Sequence, residues 1–225
     1  MTPMLMPGLQ YWIGAIMQER ACQTRREILR AAAQTFDAHG YFGTRLQDIV
    51  AQRHVSKGAL YFHFQSKEGL AQAVVQEQYD MWVALTSDLR AQYPRAVRGL
   101  LELTWLVARM MSDEAIARAG IRLLLERTVA SPEVPHPFQA WTSLIEELLT
   151  EARAQRELLS SVDVGEAARF VVIALAGLHQ VRETDQDADL RLYVTTIWRY
   201  ALPGLVTPAC LADLRAALPD LADQP

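Results

Sequence analysis

At 225 residues the chain is long enough to bury a sizeable core, as one large domain or a small domain joined to a larger one, without a metal or disulfide framework. Half of the residues are apolar and a fifth charged, which excludes a disordered composition, and two cysteines, Cys22 and Cys210, are too few and too far apart for a disulfide scaffold or zinc cluster, so a reducing cytoplasm suits the chain. The net charge of −4 divides into +3 over residues 1–68 and −7 over residues 69–225, a basic head fitted to phosphate on an acidic body that is not.

Residues 1–19 read as an N-terminal extension. Their apolar run, 9–17, is too short to cross a bilayer and has no basic residue before it, so neither a signal peptide nor a membrane span is expected. Ile28, Ala32 and Phe36 recur every four positions in a helix expected over 23–39, with Gly40 as its stop. Thr44 with Gln47 makes the spacing of a capping box, opening a short helix that turns Leu46, Ile49 and Val50 inward. Ser56 is placed to cap a third short helix through Phe62. Ser66 caps a long one that starts at Lys67 and reaches Tyr93.

Pro94 separates that long helix from a segment carrying Val97, Leu100, Leu101, Trp105 and Met111. Ser112, followed by Asp113 and Glu114, is the expected start of the next helix, to about Leu125. Three prolines break the chain between Ser131 and Pro137. Beyond them Phe138, Trp141, Leu144, Ile145, Leu148 and Leu149 form one helical stripe. Asp163 caps the following helix, an acidic link leads to a last major helix with Leu190, Tyr193, Val194, Ile197 and Trp198, and a weaker helix follows Pro208. No alternating strand or internal repeat interrupts the pattern, so the fold class is all-α. Residues 20–66 form the head and 67–225 the body.

Residues 55–64 (VSKGALYFHF), followed by Ser66, Lys67 and Glu68, are the most specific stretch of the chain, and 40–49 (GYFGTRLQDI) lead into it. Together they resemble the helix-turn-helix of TetR-like regulators over roughly residues 24–70, and the resemblance implies a start near Met17, a few residues before Gln23, Thr24 and Arg25, with residues 1–16 a start placed too far upstream. The physical reading agrees. In a helix-turn-helix the second helix sets its N-terminal residues in the major groove. Here these are Ser56, Lys57, Gly58 and Ala59: one long donor among small residues that let the backbone approach DNA. Lys57 suits a base contact to guanine. Tyr61 and His63, one turn on, fit phosphates as the resemblance implies, and Thr44 and Lys67, at expected helix starts, also favour an anion. Phe62 and Phe64 read as core aromatics. His54 stands where TetR-like proteins usually have glycine in the turn, which implies slight strain.

Residues 170–181 (FVVIALAGLHQV) are apolar on nearly every face, so the helix must be covered on two sides. One side packs in its own body; the other, with Ala174 and Gly177 permitting close approach, suits a second copy of the chain. A wholly internal helix is the alternative. The resemblance places a twofold interface here, made by Phe170, Ile173, Ala174, Gly177 and Val181 with Tyr193 and Ile197 of the last major helix. The body is similar, over 117–123 (ARAGIRL), 135–141 (PHPFQAW) and the Gly177 region, to γ-butyrolactone receptors. That resemblance implies a ligand pocket with Trp141 stacked on a lactone and Gln78 near its polar end, together with Tyr79, Trp82, Leu124, Phe138 and Ala176. Periodicity alone makes Trp141 a core residue, and both readings stand at this point. Leu124 and Phe138 occupy places where furan-carboxylate receptors carry polar groups, and no cation is evident. A neutral lactone or butenolide therefore fits better. Ala176, where some lactone receptors have threonine, leaves an orphan pseudo-receptor open.

The chain has no Gly-x-Ser-x-Gly elbow, phosphate loop, dinucleotide fingerprint or His-Glu-x-x-His. No catalytic residue, cofactor or metal site is expected. A helical interaction module without DNA binding is the rival reading. The expected partners are pseudo-palindromic operator DNA, a small hydrophobic ligand and a second copy of the chain, with no membrane involved.

Overall fold

The computed structural model describes residues 7–52, 55–87, 89–126, 137–218 and 221. These are all-α, with one isolated antiparallel bridge between Leu158 and Val206. The first helix, α1 (Pro7–Gly43), begins well before the expected Gln23. Gly40, at φ +66° and ψ −178°, is nonetheless a true break inside it, in a region open to few residues but glycine. Ile28, Ala32 and Phe36 are fully buried, as their spacing predicts.

The expected capping box at Thr44 is not formed. The Thr44 hydroxyl donates instead to the carbonyls of Gly40 (2.7 Å) and Thr35 (3.2 Å), so α2 (Leu46–Val50) begins one residue later. Its first turn is closed by the Asp48 carboxylate, which accepts from the Arg45 amide at 2.9 Å. In α3 (Lys57–His63) the Ser56 Oγ accepts from the Ala59 amide at 3.1 Å, and in α4 (Lys67–Ser87) Ser66 does the same for Gly69 at 3.0 Å. The strain expected at His54 lies outside the described residues. The long helix expected to Tyr93 is helical over α4 and again over α5 (Leu89–Gln92), with residue 88 outside the described residues.

After Pro94 come α6 (Ala96–Asp113) and α7 (Ala115–Leu125). Ser112 does not start α7: it lies in the last turn of α6, its hydroxyl bonded to the Ala108 carbonyl. The proline-broken stretch lies outside the described residues until Pro137 opens α8 (Pro137–Ala154). Three capped helices follow: α9 (Val164–Thr184) under Asp163, α10 (Leu190–Leu205) under Asp189, and α11 (Pro208–Ala217) under Thr207.

Two apolar cores organise these helices. The head core joins α1, α2, α3 and the first half of α4, through residues such as Phe36, Ile49, Leu60 and Val74. Ala119 and Leu123 of α7 belong to it as well. The body core joins α6, α8, α9, α10 and α11, and two buried indole bonds tie α6 to α10: Trp105 Nε1 donates to Thr195 Oγ1 (3.0 Å) and Trp198 Nε1 to Thr104 Oγ1 (2.8 Å). Buried Glu157 pairs with Arg95 and accepts from the Val97 amide at 2.9 Å, fixing the start of α6.

Candidate DNA-binding face and ligand cavity

The N-terminal end of α3 stands open. Ser56, Lys57 and Gly58 are exposed, and an added Cβ at Gly58 would meet no atom within 4 Å. Ala59 and His63 are half-buried and Tyr61 is exposed. Phe64 is buried in the head core, but Phe62 is 81% exposed, against the expectation that both are core. Leu60 and Phe64, four apart, claim the inward face of this short helix, and Phe62 between them points the other way. Thr44 is withdrawn from the face: it is only 1% exposed and its hydroxyl is committed to two internal carbonyls. Lys67 sits with Nζ 4.3 Å from the centre of the Tyr41 ring. Burial lowers its pKa, and Glu126 opposes that shift.

A cavity of about 100 Å³ lies between α4, α6, α7, α8 and α9. Trp82 and Trp141 meet edge to face in its wall, ring centres 4.8 Å apart at 88°. Phe138 and Ala176 line it too, so four of the seven expected ligand residues converge. The other three do not. Gln78 is 3% exposed and packed on Gly120, while Tyr79 and Leu124 pack against the head core. Gln78 lies one turn of α4 nearer the head than Trp82, which carries it past the cavity. The sequence reading missed Met111, Ile121, Val172, Leu175 and His179. A signal for three of these existed: Val172, Leu175, Ala176 and His179 follow the i, i+3, i+4, i+7 spacing of one helix face.

On α9 and α10 an apolar face is uncovered in the protomer. Phe170, Ile173 and Tyr193 are exposed, Ala174, Val181 and Ile197 half-buried, and nothing approaches the bare Cα of Gly177. By length and composition α9 would also pass as a membrane span, but its Ala167, Ala168, Val171 and Leu178 are buried in the body core.

Head and body meet at a charged junction. Arg118 Nε lies 2.7 Å from Asp37 Oδ2, while its Nη1 donates to the Met111 and Ser112 carbonyls. Arg122 donates to the Asp37 carbonyl (2.6 Å), Glu126 (3.0 Å) and Glu183 (3.0 Å). Glu126 in turn accepts from the Tyr41 amide at 2.8 Å, just past the Gly40 break. Among the described residues no cluster of three or more His, Cys, Asp or Glu could hold a metal ion.

Comparison with known proteins matches these two parts separately. The family model described as bacterial regulatory proteins, tetR family, covers residues 28–74, and one described as tetracyclin repressor-like, C-terminal domain, covers 95–207. The chain is similar to the A-factor receptor protein of Streptomyces griseus, with 34% identity over 200 residues, 88% of this chain and 69% of the relative. It is similar to a crystal structure of a gamma-butyrolactone receptor (ArpA-like protein) at 32% identity and a TM-score of 0.77, covering 90% of this chain and 97% of that one. It is also similar to CprB from Streptomyces coelicolor in complex with its operator sequence, at 32% identity and a TM-score of 0.82, covering 92% and 100%.

Proposed function

The chain belongs to the tetR family of bacterial regulatory proteins, and from that premise we propose that it is a homodimeric repressor released from its operator by a small neutral γ-butyrolactone or butenolide. As a TetR-type regulator it is a DNA-binding protein and not an enzyme, with homology to gamma-butyrolactone receptors. It acts in the cytoplasm, where its operator is, and a role in controlling secondary metabolism accords with the A-factor receptor likeness. Lys57 reads a base, Ser56, Gly58 and Ala59 bring the backbone close, and Tyr61, His63 and Lys67 hold phosphates.

The observation that carries the ligand reading is the Trp82–Trp141 cavity. Its described lining holds no lysine or arginine, so it suits an uncharged guest. At about 100 Å³ it is also smaller than the roughly 300–1,000 Å³ of typical ligand pockets. A ligand larger than this enters only if the surrounding helices move apart, and a ligand that binds the wider state better draws the population toward it. Because α7 contributes to both the cavity wall and the head core, widening the cavity also displaces the head.

Trp141→Ala tests this. It keeps operator binding and melting temperature but abolishes release by the lactone, as the separation of the two sites requires. Truncating a tryptophan that is only core costs about 3–5 kcal/mol and impairs everything together, so a badly destabilised variant, or a stable one still released, removes Trp141 from the ligand site. A TetR-type regulator of an efflux or catabolic operon would show the same separation with a different releasing compound.

A further inference from the structure

We propose that His179 couples the cavity to the DNA-binding head: its imidazole meets the polar end of the ligand on one side and, through Glu183 and Arg122, sets the junction at Gly40 on the other. This rests on reading the cavity as the effector site and extends it.

His179 is common to two cavities. One is the apolar Trp82–Trp141 cavity, and the other is a polar one of about 280 Å³ bounded also by Asp37, Arg118, Arg122, Arg182 and Glu183. Among the described residues lining the apolar cavity, hydrogen-bonding side chains are confined to the two indoles and His179. Trp82 Nε1 is buried and meets no acceptor among the described residues. An unpaired buried donor is destabilising, and a ligand oxygen would satisfy it. Burial holds His179 below the ordinary histidine range, Glu183 opposing and Arg122 reinforcing that shift. It is therefore neutral near pH 7 and offers one donor and one acceptor. The matching ligand is neutral, with an acceptor oxygen and a second polar group.

On the junction side one link stands open and the rest are made. His179 Nε2 lies 3.9 Å from Glu183 Oε1, the same oxygen that accepts from Arg122 at 3.0 Å. Arg122 holds the Asp37 carbonyl and Glu126, and Glu126 holds the Tyr41 amide beyond Gly40. A shift of about 1 Å brings His179 within hydrogen-bond distance of that shared oxygen. Arg122 and Glu126 are each roughly three-quarters buried, so solvent screens them less than a surface pair. A ligand that moves His179 changes what Glu183 gives to Arg122, and so what α7 holds at the end of α1.

The test uses the full-length dimer, an operator duplex selected from random DNA, and γ-decalactone as the probe. Binding is followed by tryptophan fluorescence and release by mobility shift. The lactone is expected to bind wild type and Glu183→Gln alike, but to weaken operator binding about tenfold in wild type and less than about twofold in the variant. His179→Leu raises the lactone Kd about tenfold. Equal release of Glu183→Gln, or an unchanged Kd in His179→Leu, overturns the coupling role and leaves the repressor reading standing. If wild type does not bind the lactone, the proposed ligand class fails, and the coupling is judged by filling the cavity with Val172→Phe, or with Ala176→Leu should that variant melt early. Filling is expected to weaken operator binding about fivefold, an effect that Glu183→Gln removes. The same weakening in both backgrounds, or in neither, overturns the inference.

Discussion

Lys57 and Lys67 carry the same charge in different surroundings. Lys57 is exposed at the open end of α3, whereas Lys67 lies over the Tyr41 ring with its pKa lowered by burial. Lys57→Ala is expected to cost about 1–3 kcal/mol on the operator alone, and Lys67→Ala to weaken operator and random duplexes alike. Affinities for both duplexes across a salt series check this, and normal operator binding by Lys57→Ala would refute its assignment. Cys210 gives a pH dependence. Burial, then the Glu157 carboxylate, push its thiol up to about 11, from an ordinary 9.0. The folded protein keeps the proton longer than the unfolded chain, so this stabilisation is complete below pH 9 and lost as pH rises toward 11. Denaturant midpoints for wild type should fall more steeply over that window than those for Cys210→Ala. At this scale the sequence located the open face of α3 but misjudged Phe62 and Thr44. Phe62 was misplaced because only one face of a seven-residue helix reaches the core, and Thr44 because its acceptors, Thr35 and Gly40, are brought to it by the break in α1.

The helix that decides how head and body are joined is α7. A Cβ added at Gly120 would lie 2.5 Å from the Gln78 Cβ, so α4 and α7 pack there without room for any side chain. Gly120→Ala must push them apart, at a cost of about 1–3 kcal/mol. We expect a lower melting temperature with operator affinity changed and the dimer intact; unchanged melting and affinity would show that the two helices slide freely. Helix starts at Ser56, Ser66 and Asp163 were legible from their capping chemistry, each accepting from an amide three residues on; Asp189 and Thr207 cap in the same way, although the sequence pattern had not singled them out. Ser112 carried the same signal and did not cap, because α6 continues past it and its hydroxyl turns back to Ala108. Capping chemistry proposes a boundary, and the apolar face of the helix decides whether the chain stops there.

For the whole molecule the uncovered face of α9 and α10 is the main unbalanced feature. Ile173 is 61% exposed in the protomer, so Ile173→Asp should leave the helical signal and protomer fold unchanged. In a dimer it buries a charge at an apolar contact. Sedimentation should then show a monomer, and operator affinity should fall by about 100-fold or more, since two half-sites are held only by two linked heads. A dimer persisting in Ile173→Asp would move the interface elsewhere. The amino-acid sequence by itself determined the all-α class, the order of the main helices, the basic head and the helix-turn-helix, because helical periodicity, caps and a contiguous motif are written within a few residues of one another. Only the tertiary structure decided which residues share the cavity, why Gln78, Tyr79 and Leu124 fall outside it, and that α7 enters the head core. Those outcomes depend on how far each helix slides and turns against partners a hundred residues away, which no local pattern encodes.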